Sequence, residues 1–485
     1  MRPLAPSGLS PCELLSMKRF ALRTTLWVFV SALMVQSAVQ AQDYSYLVNG
    51  DGTCTITAYT GSGGDVVIPG TIDGLRVCGV GSDAFNGLSN LTSVTSSVNI
   101  GEWAFSGCEN LIRVTLLSGV SNIGYGAFSY CSRLTEVTIS DTVSNIEEQA
   151  FVGCSSLVSL TVDTNSAFLS STNGVLFDKE QTTIIQFPGG IADNYTIPDG
   201  VTCIGNYAFA YCSGLTNVTI PGSVTNIGRY AFLSCDGLLA VMLPNGLLSI
   251  GGKAFDGCSK LSAVTIPDSV ASIGYFAFIL CTNLCLIDVG TNNVSYCSQD
   301  GVLFDKTLTS LLQFPNGRGG SYTIPDSVTN IGLGAFADTR LTTLTVPAGV
   351  ASIASEAFYA WANLSGIYFL GNAPGLGVNA FWGDHGPRVY YLPGTTNWDV
   401  SFGGLPTVLW NPRAANDATF GVQANVFGFT ITNAGSPTVV VEACTNLTVG
   451  EWTAVSTNNL SGGSSYFGDP TWMGFPGRFY RFRLP

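Results

Sequence analysis

The sequence predicts a β-rich solenoid of stacked coils, followed by a small all-β, sandwich-like domain at the C-terminus. Ala-Phe pairs recur along most of the chain with a dominant spacing of 23 residues, and such self-similarity is the signature of a repeat array. Only 11% of the residues are charged and 57 are glycine, which favours short strands and turns over long amphipathic helices. The strand-like runs after about Asn411 lack the repeat, which indicates a separate unit there.

The Ala-Phe pairs define the period and its two interruptions. They end at Phe85, Phe105, Phe128, Phe151, Phe209, Phe232, Phe255, Phe278, Phe336, Phe358 and Phe381. Two intervals measure 58 residues, which is 35 more than the period, and both contain a GVLFD motif and a YTIP motif. The two copies of each motif lie 127 residues apart. We therefore predict two duplicated insertion coils, at about 162–198 and 289–325.

One period shows how a coil is built. Around Thr138, apolar and polar residues alternate, which predicts a short half-buried strand. Ser140-Asp141 supplies turn chemistry, and Glu148–Phe151 is interpreted as one helical or 3₁₀ turn before Cys154 closes the coil. A single coil cannot bury these apolar side chains alone, but coils stacked at about 4.8 Å form one continuous core.

The repeat resembles the BspA-type bacterial leucine-rich repeat. The strand LSAVTIP (Leu261–Pro267) and the following SVASIGYFAFILCTNL (Ser269–Leu284) carry the resemblance, which extends over Val77–Phe381. It implies a leucine-rich-repeat solenoid that is secreted or displayed at a cell surface, with relatives that bind host or matrix proteins in adhesion. It implies no catalytic residues.

The N-terminus predicts export. Basic residues at 18, 19 and 23 precede an apolar run from about Leu26 to Val35, which ends in the small-x-small site Val39-Gln40-Ala41. This is the pattern of a signal peptide, with Met17 as the expected start and Gln42 as the first mature residue. The net charge of −13 argues against nucleic acid and anionic membranes, since both require clustered cations. We expect an extracellular or bacterial cell-surface protein without a transmembrane segment.

Changes in the pattern set the predicted domain boundaries. Residues 1–41 form the leader, 42–76 an N-terminal β cap, 77–382 the solenoid, 383–410 a closing coil with a linker, and 411–485 the C-terminal β domain. The last domain resembles a C-terminal module of secreted proteins from Verrucomicrobia-type bacteria. An alternative is an outer-membrane sorting or attachment signal.

Cysteine follows the repeat. Seven cysteines, named here the ladder cysteines, lie three residues after a repeat phenylalanine: Cys108, Cys131, Cys154, Cys212, Cys235, Cys258 and Cys281. One thiol per coil does not converge on a metal, so these residues are predicted to be small buried hydrophobic groups. Export permits disulfides. Cys54 and Cys78 in the cap are compatible with a disulfide or with two free thiols, and the sequence does not decide between them.

The outward side of the long strands is the first candidate binding surface, named here the threonine face. Its equivalent positions carry Thr115, Thr138, Thr161, Thr219, Thr265 and Thr345, with Arg113 and Glu136 two residues before two of them. Stacking produces a flat row of hydroxyl groups that suits a protein or glycan partner. The alternative is that threonine is simply a good exposed strand former.

A second candidate is an aromatic patch towards the end of the repeats. It comprises Trp361, Trp382, Tyr390, Tyr391 and Trp398. Exposed Trp and Tyr rings with few charges nearby suit stacking on sugars or anchoring a protein. Alternatively, these bulky rings cover the last coil as a cap.

No candidate for catalysis emerges from the sequence. His385, the only histidine, lies beside Asp384 in a Gly-Pro turn without a nucleophile motif, and Glu147-Glu148 is interpreted as a solvated face. We predict no cofactor and no metal. The expected function is non-catalytic recognition of an extracellular protein or polysaccharide through many coils; the alternative is a structural surface-layer or matrix protein that binds copies of itself.

Overall fold

The computed structural model describes residues 39–40, 43–383, 386–433, 438–448, 450–460 and 462–483. The predicted signal peptide, apart from two of its residues, and His385 lie outside the described residues. The chain forms two compact units, Met1–Gly301 and Val302–Pro485, and each is described by itself. In the described part of the chain, no helix is long and apolar enough to cross a membrane.

The first unit consists of short strands joined by turns. Its strands are β1 (Val39–Gln40), β2 (Tyr44–Val48), β3 (Cys54–Tyr59), β4 (Gly64–Val67), β5 (Thr71–Ile72), β6 (Leu75–Val80), β7 (Leu91–Ser96), β8 (Asn99–Ile100), β9 (Arg113–Leu116), β10 (Asn122–Ile123), β11 (Glu136–Ile139), β12 (Asn145–Ile146), β13 (Ser159–Val162), β14 (Leu169–Thr172), β15 (Val175–Asp178), β16 (Thr183–Gln186), β17 (Asp193–Thr196), β18 (Cys203–Ile204), β19 (Leu215–Thr219), β20 (Asn226–Ile227), β21 (Ala240–Met242), β22 (Ser249–Ile250), β23 (Ala263–Ile266), β24 (Ser272–Ile273), β25 (Leu286–Val289) and β26 (Tyr296–Gln299).

Successive coils pair in parallel along two ladders. The long strands β4, β7, β9, β11 and β13 form one sheet, and the short strands β6, β8, β10 and β12 form another. Thr115 pairs with Thr138 and Thr138 with Thr161, so the pairing register equals the sequence period. At the N-terminus, β2 and β3 pair antiparallel and β3 then joins β6 in parallel. The Tyr59 ring at the end of β3 stacks on Phe85, with 5.0 Å between the ring centroids.

The segment around each Ala-Phe pair is a set of turns, and the predicted helical turn is wrong. The only helix in the described part of the chain is the 3₁₀ turn Trp472–Gly474. Residues two before and two after each repeat phenylalanine have positive φ, as in Gln149 (φ 63°) and Gly153 (φ 76°), and this interrupts helical geometry. The backbone instead bonds to the adjacent coil: the Phe105 N–H donates to Ala127 O at 2.8 Å.

The repeat phenylalanines form the centre of the core. In the first four coils their rings stack in order, with centroid separations of 4.6, 5.2 and 5.7 Å. All of these rings are almost fully buried. Each stacked pair contributes about 0.5–1.5 kcal/mol beyond its area burial, which explains why the sequence keeps this residue while the polar positions vary.

The first insertion interrupts both ladders. Strands β14, β15 and β16 form an antiparallel meander, and β16 then pairs in parallel with β18. Among the described residues, β12 pairs with no strand of the insertion, and β13 does not pair with β17. The short-strand ladder resumes with β18, β20, β22 and β24, and the long strands form the separate sheets β17-β19-β21 and β23-β25.

The second unit begins within the second insertion and ends in the C-terminal domain. Its strands are β27 (Val302–Asp305), β28 (Ser310–Gln313), β29 (Gly319–Thr323), β30 (Asn330–Ile331), β31 (Arg340–Val346), β32 (Ser352–Ile353), β33 (Gly366–Phe369), β34 (Gly375–Leu376), β35 (Arg388–Tyr391), β36 (Ser401–Phe402), β37 (Leu405–Leu409), β38 (Arg413–Ala414), β39 (Gly421–Gln423), β40 (Val426–Thr432), β41 (Thr438–Cys444), β42 (Thr453–Asn459), β43 (Ser464–Asp469) and β44 (Phe479–Arg483).

Parallel ladders and an antiparallel sandwich make up this unit. Strands β28, β30, β32 and β34 continue a short-strand ladder, and β29, β31, β33, β35 and β37 form a long-strand sheet. The C-terminal residues form one sheet of β38, β39, β40 and β43 and another of β41, β42 and β44. Glu442 on β41 is buried and accepts bonds from Arg481 and Arg483 at 2.7 and 2.6 Å. Burial opposes ionisation, but the two guanidinium groups hold the pKa of this carboxyl below its usual value.

Candidate functional site

Strand register builds the threonine face in the first unit. Thr95, Thr115, Thr138 and Thr161 are direct partners on adjacent strands, and Val67 extends the row on β4. Alternate side chains of a strand point to opposite faces, so this row is exposed or half-exposed while the intervening apolar residues are buried. The register therefore brings Thr115, Thr138 and Thr161 of the predicted face into one row.

Charges on this face are few. Arg113 Nε lies 3.2 Å from Glu136 Oε2 on the next coil. Such an exposed ion pair contributes only about 0–1 kcal/mol to stability. Asp65 accepts hydrogen bonds from Ser93 and Thr92 at 2.7 and 2.9 Å, and these bonds, with the nearby Arg113, lower the pKa of its carboxyl. The face therefore offers mainly hydroxyl groups.

The threonine face is not continuous over the whole first unit. After the insertion, Thr219 lies between Thr196 and Met242, and the Met242 side chain is 72% exposed. Thr265 is exposed on the next sheet and pairs with Asp288. The longest uninterrupted stretch is thus the five-strand sheet before the insertion.

In the second unit, the C-terminal domain covers the corresponding row. Thr345 is half-exposed and pairs with Tyr368, which in turn pairs with Tyr390. Tyr368 and Tyr390 belong to one apolar cluster with Trp410 and residues of the C-terminal domain, namely Phe429, Ile431, Val439, Val441, Leu460 and Phe467. The last coils therefore present tyrosine to the sandwich where earlier coils present threonine to solvent.

The aromatic patch is largely a packing feature, and the expectation of exposed rings is wrong for two members. Trp361 is 1% exposed, stacks on Phe336 and Phe358, and donates from Nε1 to Leu341 O at 2.7 Å. Tyr390 is 2% exposed. Trp361 lies three residues after a repeat phenylalanine, the position of the ladder cysteines, and that spacing was the signal for its burial.

The other three patch residues do not form one surface. Tyr391 and Trp398 are half-buried and stack on each other at 5.3 Å. Trp382 is 62% exposed and contacts Tyr359 at 5.3 Å between ring centroids. Only Trp382 presents a substantial free ring, so the capping interpretation fits this set better than a shared sugar platform.

The ladder cysteines are buried, as predicted, and each thiol lies against the preceding coil. Cys131 Sγ donates to Phe105 O at 3.2 Å, and the same contact at 3.0–3.1 Å is made by Cys108, Cys154, Cys235, Cys258 and Cys281. Burial raises the pKa of Cys108 to about 12, so the thiol stays protonated. Cys54 and Cys78 form no disulfide.

Sequence reasoning missed a polar and aromatic group at the first insertion, named here the insertion-edge cluster: Tyr125, Glu148, Gln149, Asn206 and Tyr207. Glu148 Oε1 accepts from Asn206 Nδ2 at 3.0 Å, although 58 residues separate them. Burial raises the pKa of the Tyr125 and Tyr207 hydroxyls, and the Glu148 charge raises it further. The sequence predicts a solvated face at Glu147-Glu148; Glu148 is exposed, but it also bridges two coils. Only the three-dimensional path of the insertion reveals this proximity.

Within the described ranges, no group of three or more His, Cys, Asp or Glu side chains is placed to hold a metal ion. His385 lies outside those ranges.

Comparison with known families settles the identity of the repeat. The BspA type leucine rich repeat region matches residues 78–193, 187–301 and 313–388 in six copies. The chain belongs to this family. Its two parallel ladders, period of about 23 residues and near absence of helix are those of a leucine-rich-repeat β-solenoid.

Several solved structures are similar to this BspA-type chain. A leucine rich cell surface protein from Faecalibacterium prausnitzii is 26% identical, covering 78% of this chain and 95% of that one, with a TM-score of 0.39. A leucine-rich repeat protein from Eubacterium ventriosum is 20% identical over 71% and 93% of the two chains, with a TM-score of 0.40. The pneumococcal vaccine antigen PcpA is 19% identical over 70% and 94%, with a TM-score of 0.39. A comparison with curated proteins finds no match.

Proposed function

We propose that this protein is an exported, cell-surface or extracellular binding protein that uses the threonine face to recognise an extracellular protein or polysaccharide without catalysis. The observation that carries the proposal is the in-register row on β4, β7, β9, β11 and β13, which stays open to solvent. On four of these strands, β7, β9, β11 and β13, threonine hydroxyl groups repeat at the strand spacing of about 4.8 Å.

The chemistry of the face favours an extended partner. A single ion pair and several hydroxyl groups provide directional hydrogen bonds with little charge. Because each coil offers a similar small contact, affinity grows with the number of coils engaged rather than with the depth of one pocket. Family membership supports the same reading, since BspA-type proteins are surface proteins that are typically non-enzymatic.

The test is an array of extracellular matrix proteins and bacterial and host polysaccharides, probed with the purified full chain and two variants. Thr138→Lys with Thr161→Lys places two bulky cations on adjacent strands of the face. Ser144→Lys with Ala271→Lys adds the same charge at exposed positions beside the short strands. We expect the first variant to lose binding to the recognised component and the second to retain it.

Two results would contradict the proposal. If both lysine variants bind like the wild type, the partner uses another surface. If no array component binds and sedimentation velocity shows concentration-dependent assembly, the alternative of a self-associating surface-layer or matrix protein replaces the binding function.

A further inference from the structure

The backbone hydrogen bonds that join the turns of adjacent coils stop at the first insertion. In the coil before it, the N–H groups of Gly126, Phe128 and Tyr130 donate to carbonyl oxygens of the following coil at 3.1, 2.8 and 2.7 Å. The equivalent donors of that following coil are the N–H groups of Gln149, Phe151 and Gly153. In the part of the chain that the structure describes, these three N–H groups have no hydrogen-bond acceptor. A backbone donor without a protein partner remains available to water or to a ligand, so this edge offers three unused hydrogen-bond donors.

A cleft lies at this open edge. Its volume is about 180 Å³, and it runs between residues 146–151 on one side and residues 183–186 with Gly205 and Asn206 on the other. Gln149 and Phe151, which carry two of the three unpaired N–H groups, line it. The cleft is therefore a recess with backbone donors in its wall.

The insertion-edge cluster adds side chains to these donors. Glu148 and Asn206 are bonded to each other across the cleft and present both carboxylate and amide groups there. The Gln149 amide lies close enough to the hydroxyls of Tyr125 and Tyr207 to lower their pKa against the effect of burial. Planar polar groups and aromatic rings thus meet within one small region of the first unit.

We propose that this cleft binds one sugar residue of a neutral polysaccharide. Hydroxyl groups of a sugar can accept from the open N–H groups and donate to the Glu148 carboxylate, while the side chains of Ile146 and Ile185 in the lining of the cleft offer apolar surface to the sugar ring. Glu147 and Glu148 both line the cleft, and their negative charge disfavours uronic acids, sulfated glycans and phosphates. The site is separate from the threonine face.

The second insertion shows that the solenoid does not require this cluster. At the positions 127 residues later, Glu148 and Gln149 are replaced by Tyr275 and Phe276, and Asn206 and Tyr207 by Leu333 and Gly334. The insertion motif is otherwise repeated. The polar and aromatic set is therefore specific to the first insertion, as a binding site would be.

Affinity electrophoresis of the full chain tests the proposal. The gels contain dextran, amylose, mannan, galactan or xylan as neutral probes, and polygalacturonate or hyaluronan as anionic probes. Asn206→Leu with Tyr207→Gly introduces the residues of the second insertion, which the same fold accommodates. Glu148→Ala is a milder variant at an exposed position, and Tyr275→Ala is the matched control at the second insertion.

We expect at least one neutral polysaccharide to retard the wild type and the Tyr275→Ala control equally. The double variant should bind at least tenfold more weakly, Glu148→Ala should also be weakened, and the anionic probes should retard none of the proteins. Absence of retardation by every neutral probe, or equal retardation of wild type, Glu148→Ala and the double variant, would overturn the site. The Asn206→Leu, Tyr207→Gly variant leaves the threonine face unchanged, so a loss of retardation in this variant reports on the cleft and not on the proposed function.

Discussion

At the residue scale, the cysteines of the first unit show which kind of side chain fits one position of the repeat. A thiol fills the small space beside the stacked phenylalanines and donates to the carbonyl of the preceding coil, as Cys108 does to Phe85 O at 3.1 Å. Because burial raises its pKa, the group behaves as a neutral packing element. The same position holds Trp361 in the second unit, where a larger ring joins the stack.

The raised pKa of Cys108 predicts a loss of stability at high pH. The ordinary value is 9.0 and the folded value is about 12, so the native state favours the protonated thiol. The stabilisation of the native state by the neutral thiol is complete below pH 9. As pH rises from about 9 to 12, the free energy of unfolding decreases by up to about 1.4 kcal/mol per pH unit. Urea unfolding at pH 8, 9 and 10 should show a shallower decline in the free energy of unfolding for Cys108→Ala than for the wild type; parallel declines would refute this linkage.

At the element scale, paired left-handed residues shape each turn. They direct backbone N–H groups towards the adjacent coil, and some are glycine because a ring from the previous coil lies on them. At Gly126 (φ 60°), an added Cβ would lie 2.4 Å from a ring carbon of Trp103. Gly222 has no positive φ, and an added Cβ there meets nothing within 4 Å.

These two glycines form a matched pair for mutation. Gly126→Ala should lower the free energy of unfolding by about 1–3 kcal/mol because the methyl group overpacks the turn against Trp103. Gly222→Ala should be neutral or slightly stabilising, since alanine reduces the entropy of the unfolded chain. Chemical denaturation measures both, and adding Trp103→Ala to Gly126→Ala should recover part of the loss. Similar effects of the two glycine variants would contradict the role of this contact.

Within the second unit, the C-terminal sandwich and the last coils share one core. Tyr368 and Tyr390 contribute rings that stack at 4.8 Å and pack with the sandwich cluster that contains Phe429. The C-terminal domain therefore covers the end of the long-strand sheet as well as forming its own sheets. In the first unit, by contrast, the equivalent face stays open.

Removal of residues 411–485 should consequently expose an apolar surface. We expect the chain ending at Trp410 to bind an apolar dye such as ANS and to self-associate, because Tyr368, Tyr390 and Trp410 lose their cover. Sedimentation velocity and dye fluorescence, with the full chain as control, measure the effect. A truncated chain that is monomeric and does not bind the dye would show that the C-terminal domain does not cover an apolar surface of the last coils.

Much of this fold could be predicted from the sequence because its period is carried by buried residues. The spacing of Phe128 and Phe151 fixes the register of the ladders, and the position of Cys131 fixes its burial. The left-handed turns were missed because residues such as Tyr207 occupy them without glycine. The insertion-edge cluster was missed because Glu148 and Asn206 are distant in sequence. In the aromatic patch, the spacing of Trp361 after Phe358 signalled its burial, whereas for Tyr390 a count of rings does not tell which side of its strand the ring faces.

The most direct test of the binding function is a dissociation constant measured for single substitutions along the threonine face. Using the component identified on the array, interferometry should compare Thr115→Lys, Thr138→Lys and Thr161→Lys with the Ser144→Lys control. If many coils share the contact, each of the three should weaken binding by a similar factor of a few while the control stays unchanged. Equal affinity of all four variants, or a loss confined to one coil, would contradict recognition by the stacked face.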